Sequence, residues 1–356
     1  MLEELHAIPP YSLDKTKKRE ILSKYLIHLL RFHYNNCREY KNIIDALKVD
    51  LFEVKDFDLP FLPVRLFKEM DLMSIPRERI FKIMTSSGTT GQKVSKIYLD
   101  RDTALLQQKV LIRLLSDFVG KDRKPMLFID TEAVVKDRNL FSARGAALLS
   151  INVLGRDIQY ALNEDMSLNY YVVEKFLEKH KEKQIIVFGF TFMVWEHLYK
   201  ALENNNRRID LSNATLLQSG GWKKLQSQAV TREIFKSKLA EVCSLHHFSD
   251  HYGMAEQNGS VYVECKYGYY HTSNYSDVIT RRHKDFSISD LGEKGIIQVV
   301  SCLPGSYPGH SLLTEDEGII LGEDDCACGR KGKYIQITGR VKRAEIRGCG
   351  DTYAVK

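Results

Sequence analysis

Twelve residues, Thr85-Ser-Ser-Gly-Thr-Thr-Gly-Gln-Lys-Val-Ser-Lys96, hold six hydroxyl side chains, two glycines and two lysines. Glycines let backbone N–H groups approach an anion closely, and hydroxyls add donors that can wrap triphosphate oxygens. Lys93 and Lys96 supply positive charge. The spacing of a Walker A loop cannot be placed here, so this is a phosphate loop of another kind or a polar surface turn. A second set joins Cys265 and His271 with Cys326-Ala-Cys328-Gly-Arg. Three thiols and an imidazole can close a tetrahedral site of the structural zinc type. The two pairs stand 55 residues apart (326 − 271) and match no standard finger, and buried free thiols with a core histidine are the other reading.

The elements that must position these groups are legible in outline. Lys82–Met84 reads as a strand entering the hydroxyl-rich loop and Ile97–Leu99 as the strand leaving it. Asp14 is placed to cap a helix running to about His33. Its apolar face is Ile21, Leu22, Tyr25, Leu26, Leu29 and Leu30, with lysines opposite. Strands over Met126–Asp130, Ile185–Phe190 and Ala214–Leu217 alternate with helices over Tyr170–His180, Thr191–Glu203 and near Leu225–Val242. That alternation predicts an α/β fold with a mainly parallel sheet. From about Ser260 short strands and glycine turns predict an antiparallel β subdomain. Phe188, Phe190, Phe192, Met193 and Trp195 surround the strand-to-helix junction at Gly189, as core or as pocket lining. His246, His247 and His251 are structural histidines or pocket residues.

The ordered motifs resemble the superfamily of acyl-CoA synthetases, peptide-synthetase adenylation domains and beetle luciferases. The loop at Thr85–Lys96 resembles its phosphate signature, and Gln218-Ser-Gly-Gly221 its adenine-side turn. Tyr252-Gly-Met-Ala-Glu256 resembles its Tyr-Gly-x-Thr-Glu motif. Gly292-Glu-Lys-Gly295 matches its Gly-Glu-x-Gly turn, Thr314-Glu-Asp316 stands for Thr-Gly-Asp, and Gly339-Arg340 matches the Gly-Arg before the hinge. The resemblance implies that Thr85, Ser86, Ser87, Gly88, Thr89, Thr90 and Gly91, with Lys93, hold the β- and γ-phosphates of ATP. It places Ser219, Gly220, Gly221, Tyr252 and Gly253 on the adenine side, with Tyr252 stacked beside the base. Glu256 would hold Mg2+, Asp316 the ribose hydroxyls, and Arg340 a phosphate or ribose oxygen. A carboxylate suits a hard cation or a diol, and an arginine suits a phosphate. Some phenylacetate-CoA ligases resemble the chain in a Cys-x-Cys-Gly-Arg element beside the nucleotide site.

Two departures narrow the resemblance. The lysine of the phosphate loop is displaced, with Lys93 and Val94 where Pro-Lys is usual. The sequence stops 16 residues after Arg340 (356 − 340), which is read as a swinging C-terminal domain truncated to a short hairpin. The expected domains are 1–338, adenylate-forming with a β-rich subdomain at about 260–338, and 339–356, a hinge and truncated segment. The lysine of the swinging domain is then missing, and Lys223 beside the Gly-Gly turn is the candidate replacement, a surface lysine being the alternative. Pro60-Phe-Leu-Pro-Val-Arg-Leu-Phe-Lys68, Ser219-Gly-Gly-Trp-Lys-Lys224, Tyr252-Gly-Met-Ala-Glu-Gln257 and Gly339–Cys349 are similar to the acyl-protein synthetases of bacterial bioluminescence. That family implies an acyl-AMP, acylation of a cysteine near the C-terminus, and delivery to a reductase subunit. By position the acylated thiol is Cys349. Gly348 and Gly350 allow movement, while Lys342, Arg343 and Arg347 favour the thiolate.

Composition bounds the rest. The 356 residues are 44% hydrophobic, enough for one large or two smaller cores, and 52 basic against 46 acidic side chains give +6. No basic stripe interleaved with aromatics points to nucleic acid. Apolar runs such as Ala146–Leu154 are too short to span a bilayer, and the N-terminus lacks the pattern of a signal peptide, so a cytoplasmic protein is expected. Seven cysteines, an odd number, then read as thiols, ligands or nucleophiles rather than disulfides. The expected substrates are ATP and a fatty or aromatic carboxylic acid. The expected acceptor is a reductase, transferase or carrier protein. A ligase acting toward coenzyme A and a weakly catalytic scaffold are the rival readings.

Overall fold

The first long helix shows how the sequence builds its surfaces. It runs Lys15–Asn36, and the Asp14 carboxylate accepts from the Lys17 amide at 3.0 Å, satisfying an N–H of the first turn. Leu22, Leu26, Leu29 and Leu30 are buried as expected. Lys18 lies on the same face and is buried too, so the separation of lysines from the apolar side is not complete. Its ammonium meets Thr272 Oγ1 at 2.7 Å and Asp277 at 3.8 Å, which is how a charge is kept in the core.

The computed structural model describes residues 2–55, 57–86, 93–136 and 143–341, with the side chains of 143, 146, 223, 224 and 226 outside that description. The described residues form two compact units, one from 2–114 with 253–341, the other from 115–252.

The 115–252 unit is a parallel sheet with helical crossovers. Its strands are Lys124–Thr131, Gly155–Leu162, Ile185–Phe190, Ala214–Ser219 and His247–Tyr252, all pairing in parallel. Counted in chain order they stand 2-1-3-4-5 across the sheet. Every residue of Ile185–Phe190 is buried, as a strand covered on both faces requires. The crossover helix Tyr170–His180 begins where Asn169 accepts from the Val172 amide, and Arg232–Cys243 begins where Thr231 accepts from that of Ile234. The helix expected near Leu225 therefore starts later, after a short 3-10 segment at Lys223–Gln228. The single helix expected over Thr191–Glu203 is instead a helical turn at Thr191–Met193, a wider π turn at Val194–Tyr199 and a further turn at Lys200–Asn204. Phe188, Phe190, Met193 and Trp195 are buried in the core.

The other unit carries an antiparallel sheet. Its strands lie in the order Ser276–Arg281, Lys294–Ser301, Ser311–Glu323, Lys333–Arg340, Tyr270–His271 and Tyr262–Glu264. Leu62–Pro63 adds in parallel to Leu312–Leu313. A separate two-stranded hairpin pairs Lys82–Thr85 with Lys96–Leu99.

Candidate functional site

The hairpin holds the neck of the hydroxyl-rich loop. Thr85 faces Lys96 across the pair, and the next pair closes it: the Ser86 amide donates to the Ser95 carbonyl at 3.1 Å, and the Ser95 amide to Ser86 Oγ at 2.9 Å. Thr85 and Ser86 thus stand at a fixed mouth. Ser87, Gly88, Thr89, Thr90 and Gly91 lie outside the described residues. Lys93 is described, and its ammonium lies 2.7 Å from Glu69, while Lys96 lies 3.7 Å from Asp71. Both pairs are exposed, so water and an incoming polyphosphate can compete with them.

Glu256 is held in the same unit by its neighbours. It lies buried in the 3-10 turn Ala255–Gln257. Gln257 anchors that turn, its amide donating to the carbonyls of Val299 at 3.1 Å and Gly309 at 2.8 Å. Two residues on, Gly259 has φ +85°, and a Cβ there would meet the Gln107 carbonyl oxygen at 2.7 Å. Only glycine fits that approach. Asp316 and Arg340 face each other across adjacent strands, with Arg340 Nε 3.6 Å from Asp316 and its terminal nitrogen 2.9 Å from Glu315. Thr314 Oγ1 accepts from the Asp316 amide at 3.1 Å. A guanidinium and two carboxylates on two neighbouring strands offer both donors and acceptors to a polar ligand.

In the 115–252 unit the carboxyl ends of the strands gather the remaining groups. In open parallel sheets ligands bind outside these ends, at the point where strand order reverses. Here that point lies between Lys124–Thr131 and Ile185–Phe190. Register places Phe190 beside Ser219 and Ser219 beside His251, so the ends of three strands stand level. Thr191 Oγ1 donates to the Gly220 carbonyl at 2.7 Å, fixing a turn in which Gly220 has φ +73°. Nothing lies within 4 Å of a Cβ built on Gly221, so the turn is open on that side. Tyr252 ends the last strand, and Gly253 follows it. Enclosure of the His251 ring lowers its pKa to about 4, so the imidazole is neutral at pH 7. The backbone of Lys223 opens the 3-10 segment after this turn; its side chain lies outside the described residues.

At the reversal point Arg144 makes a bidentate pair with Asp130, Nε to Oδ2 at 2.8 Å and a terminal nitrogen to Oδ1 at 2.5 Å, both residues buried. Burial pushes the Asp130 carboxyl up and Arg144 opposes it. The forked geometry, with the Thr131 amide also donating at 2.7 Å, favours the ionised form. Nothing in the spacing from 130 to 144 marks this pair in the sequence.

The cysteine–histidine set is in the antiparallel unit, where Cys265, His271, Cys326 and Cys328 place their ligand atoms within 4.8 Å of one another. Cys349 lies outside the described residues. Among the described residues no helix is long and apolar enough to cross a membrane.

A family model described as acyl-protein synthetase, LuxE, matches residues 4–356. The chain belongs to the acyl-protein synthetase family. A long-chain-fatty-acid–luciferin-component ligase of Vibrio harveyi is 23% identical over 356 residues, covering 96% of this chain and 89% of the relative. Its namesake in Aliivibrio fischeri is also 23% identical, over 354 residues, with the same coverage. A solved 2-hydroxyisobutyryl-CoA ligase, in an open conformation with 2-HIB-AMP and CoA, has the same fold. The TM-score is 0.73 at 14% identity, over 94% of this chain and 77% of that one. The acyl-protein synthetase described here is accordingly a ligase of the adenylate-forming fold that activates an acyl group with ATP.

Within this synthetase the roles of three residues were not legible in the sequence: Gln257 anchors the turn of Glu256, Gly259 packs against the Gln107 backbone, and Thr191 holds the Gly220 turn. The glycine was legible only as a turn former, because the helix it packs against, carrying Gln107, is 152 residues away in the chain (259 − 107).

Proposed function

We propose that the synthetase joins a long-chain fatty acid to AMP and then passes the acyl group to its own Cys349, from which a partner reductase or transferase takes it. The match to the acyl-protein synthetase model along residues 4–356 carries this reading. The relatives' names, as long-chain fatty acid ligases, supply the substrate class.

In the first step an oxygen of the fatty carboxylate attacks the α-phosphorus of ATP. The bond from that phosphorus to the bridging oxygen breaks, and pyrophosphate leaves. Thr85, Ser86 and Lys93 face the leaving phosphates, with Lys93 exchanging Glu69 for phosphate oxygens. Tyr252 packs beside the adenine, Asp316 accepts from the ribose hydroxyls, and Arg340 donates to phosphate or ribose oxygen. Glu256 is a buried carboxylate, a hard oxygen donor that fits Mg2+, which supplies charge neutralisation to the phosphates when bound. Lys223 takes the role of the lysine that stabilises the charge developing on the α-phosphate. In the second step the Cys349 thiolate attacks the acyl carbon, the C–S bond forms, and AMP leaves with the C–O electron pair. The thiol proton goes to solvent or to the departing phosphate.

Intact mass spectrometry tests both steps. The full chain is incubated with Mg-ATP and a panel of fatty and aromatic acids, with and without hydroxylamine. A hydroxylamine-labile gain of one acyl group, absent in Cys349→Ala, is expected. An unlabelled chain that releases AMP only when coenzyme A is added would replace the self-acylation step by transfer to that thiol.

A further inference from the structure

Four soft or borderline ligands meet in the antiparallel unit at a place remote in sequence from the phosphate hairpin. Cys265 directly follows the strand Tyr262–Glu264, and His271 lies on the next strand, Tyr270–His271. That short strand pairs on its other side with Lys333–Arg340, in the register Tyr270 to Ile335 and His271 to Tyr334. The pairing brings the loop before Lys333, with Cys326 and Cys328, against the hairpin.

The two cysteine turns have the same shape. In each, a glycine three residues after the first cysteine donates its amide back to that cysteine's carbonyl: Gly268 to Cys265 at 2.8 Å, and Gly329 to Cys326 at 2.9 Å. Both glycines adopt positive φ, +86° and +84°. Such tight turns aim a cysteine sulfur out of the turn, and here both aim at one point. The loop is also anchored from outside. Asp324 accepts from the amides of Gly332 at 2.7 Å and Lys15 at 2.8 Å, and the Lys331 amide donates to the Tyr11 carbonyl at 2.9 Å.

We infer that Cys265, His271, Cys326 and Cys328 form a closed tetrahedral site for a structural Zn2+ ion. With Zn–S near 2.3 Å and Zn–N near 2.0 Å, a tetrahedron has S···S and S···N edges of about 3.8 and 3.5 Å. His271 Nε2 and Cys328 Sγ already stand 3.4 Å apart, and the whole set lies within 4.8 Å. Three of the four residues are buried and Cys328 is partly exposed. All four positions come from protein side chains, so no position is left open for substrate, which marks a structural rather than a catalytic ion. Three thiolates and Zn2+ carry a net charge of −1. Arg330, hydrogen-bonded to Cys328, and the buried Lys18 stand in the field of this set and balance it. The ion would join a hairpin to a loop 55 residues further along (326 − 271), closing a long stretch of chain in one step.

The test uses the full chain as purified. Inductively coupled plasma mass spectrometry is expected to find one zinc per chain, and Cys328→Ser to lose it while a Cys37→Ser control retains it. Replacement by Co2+ is expected to give the strong visible bands of a tetrahedral site and thiolate-to-cobalt charge transfer. His271→Cys should keep the metal and intensify that charge transfer. Should Cys328→Ser fail to fold, the cobalt spectrum of the unaltered chain decides. Folded chain that takes up no zinc on incubation with Zn2+, a cobalt spectrum without thiolate bands, or a disulfide among the three cysteines would overturn the assignment.

Discussion

Removing Arg144 should cost the 115–252 unit far more than an ordinary surface charge would. The guanidinium meets both Asp130 oxygens, at 2.8 and 2.5 Å, and neither side chain reaches water. Deleting one partner of such a pair leaves a buried charge uncompensated, at about 3–5 kcal/mol. With a urea dependence of about 2 kcal/mol per molar, Arg144→Met should lower the midpoint by about 1.5–2.5 M. The protein provides its own reporter, because both tryptophans, Trp195 and Trp222, lie in this unit, with ring centroids 5.3 Å apart. Tryptophan fluorescence during urea titration therefore follows this unit. Since burial already pushes the Asp130 carboxyl up, the abandoned carboxylate takes a proton readily, and the deficit of Arg144→Met should narrow as pH falls. Adding Asp130→Asn should recover much of the loss by the same logic. A midpoint unchanged in Arg144→Met, or a loss that Asp130→Asn leaves untouched, would show that the buried pair does not carry this stability.

Other expectations concern the antiparallel unit. His310 is buried against the His33 ring at 5.1 Å, and desolvation lowers its pKa to about 3. The unfolded chain takes up this proton near pH 6.5 and the folded chain only near pH 3. Stability must therefore fall as pH drops through that window, by up to about 1.4 kcal/mol per pH unit for one proton. His310→Gln should flatten the acid limb by that slope in near-UV circular dichroism, and an unchanged limb would contradict the assignment. Gly259→Ala must enter the left-handed region, at about 1–2 kcal/mol, and also push against the Gln107 backbone. Its thermal transition should fall by several degrees, and wild-type melting would show the approach to be looser than described. Glu69→Gln should lower KM for ATP by up to about 5-fold, the worth of an exposed ion pair, by releasing Lys93. No change would remove Lys93 from the phosphate site. Asp316→Ala should raise KM for ATP about 10-fold or more, the value of a charged hydrogen bond, with kcat less affected. Steady-state kinetics at saturating fatty acid separates the two.

Local signals in this sequence were strong wherever the chemistry was local. The helix Tyr170–His180 and the strand Ile185–Phe190 have the boundaries read from periodicity, since Asn169 caps the one and an unbroken apolar run defines the other. The change from parallel to antiparallel structure near Ser260 followed from the spacing of glycines and short strands. The π turn at Val194–Tyr199 was not legible, because one extra residue in a turn leaves a 3.6-residue pattern nearly unaltered. Lys18 was misplaced among the outward lysines because its partners, Thr272 and Asp277, come from the far end of the chain. The four metal-type ligands were legible as two pairs, but only the strand pairing of Tyr270 with Ile335 brings the pairs together.

Activation of the acid as its adenylate precedes transfer to any acceptor. It is measured most directly as fatty-acid-dependent exchange of labelled pyrophosphate into ATP by the full chain. Exchange is expected that requires both Mg2+ and a long-chain acid, that persists in Cys349→Ala, and that collapses in Glu256→Gln. A chain that binds ATP yet exchanges no pyrophosphate with any acid of the panel, or exchanges it equally without acid, does not form the adenylate.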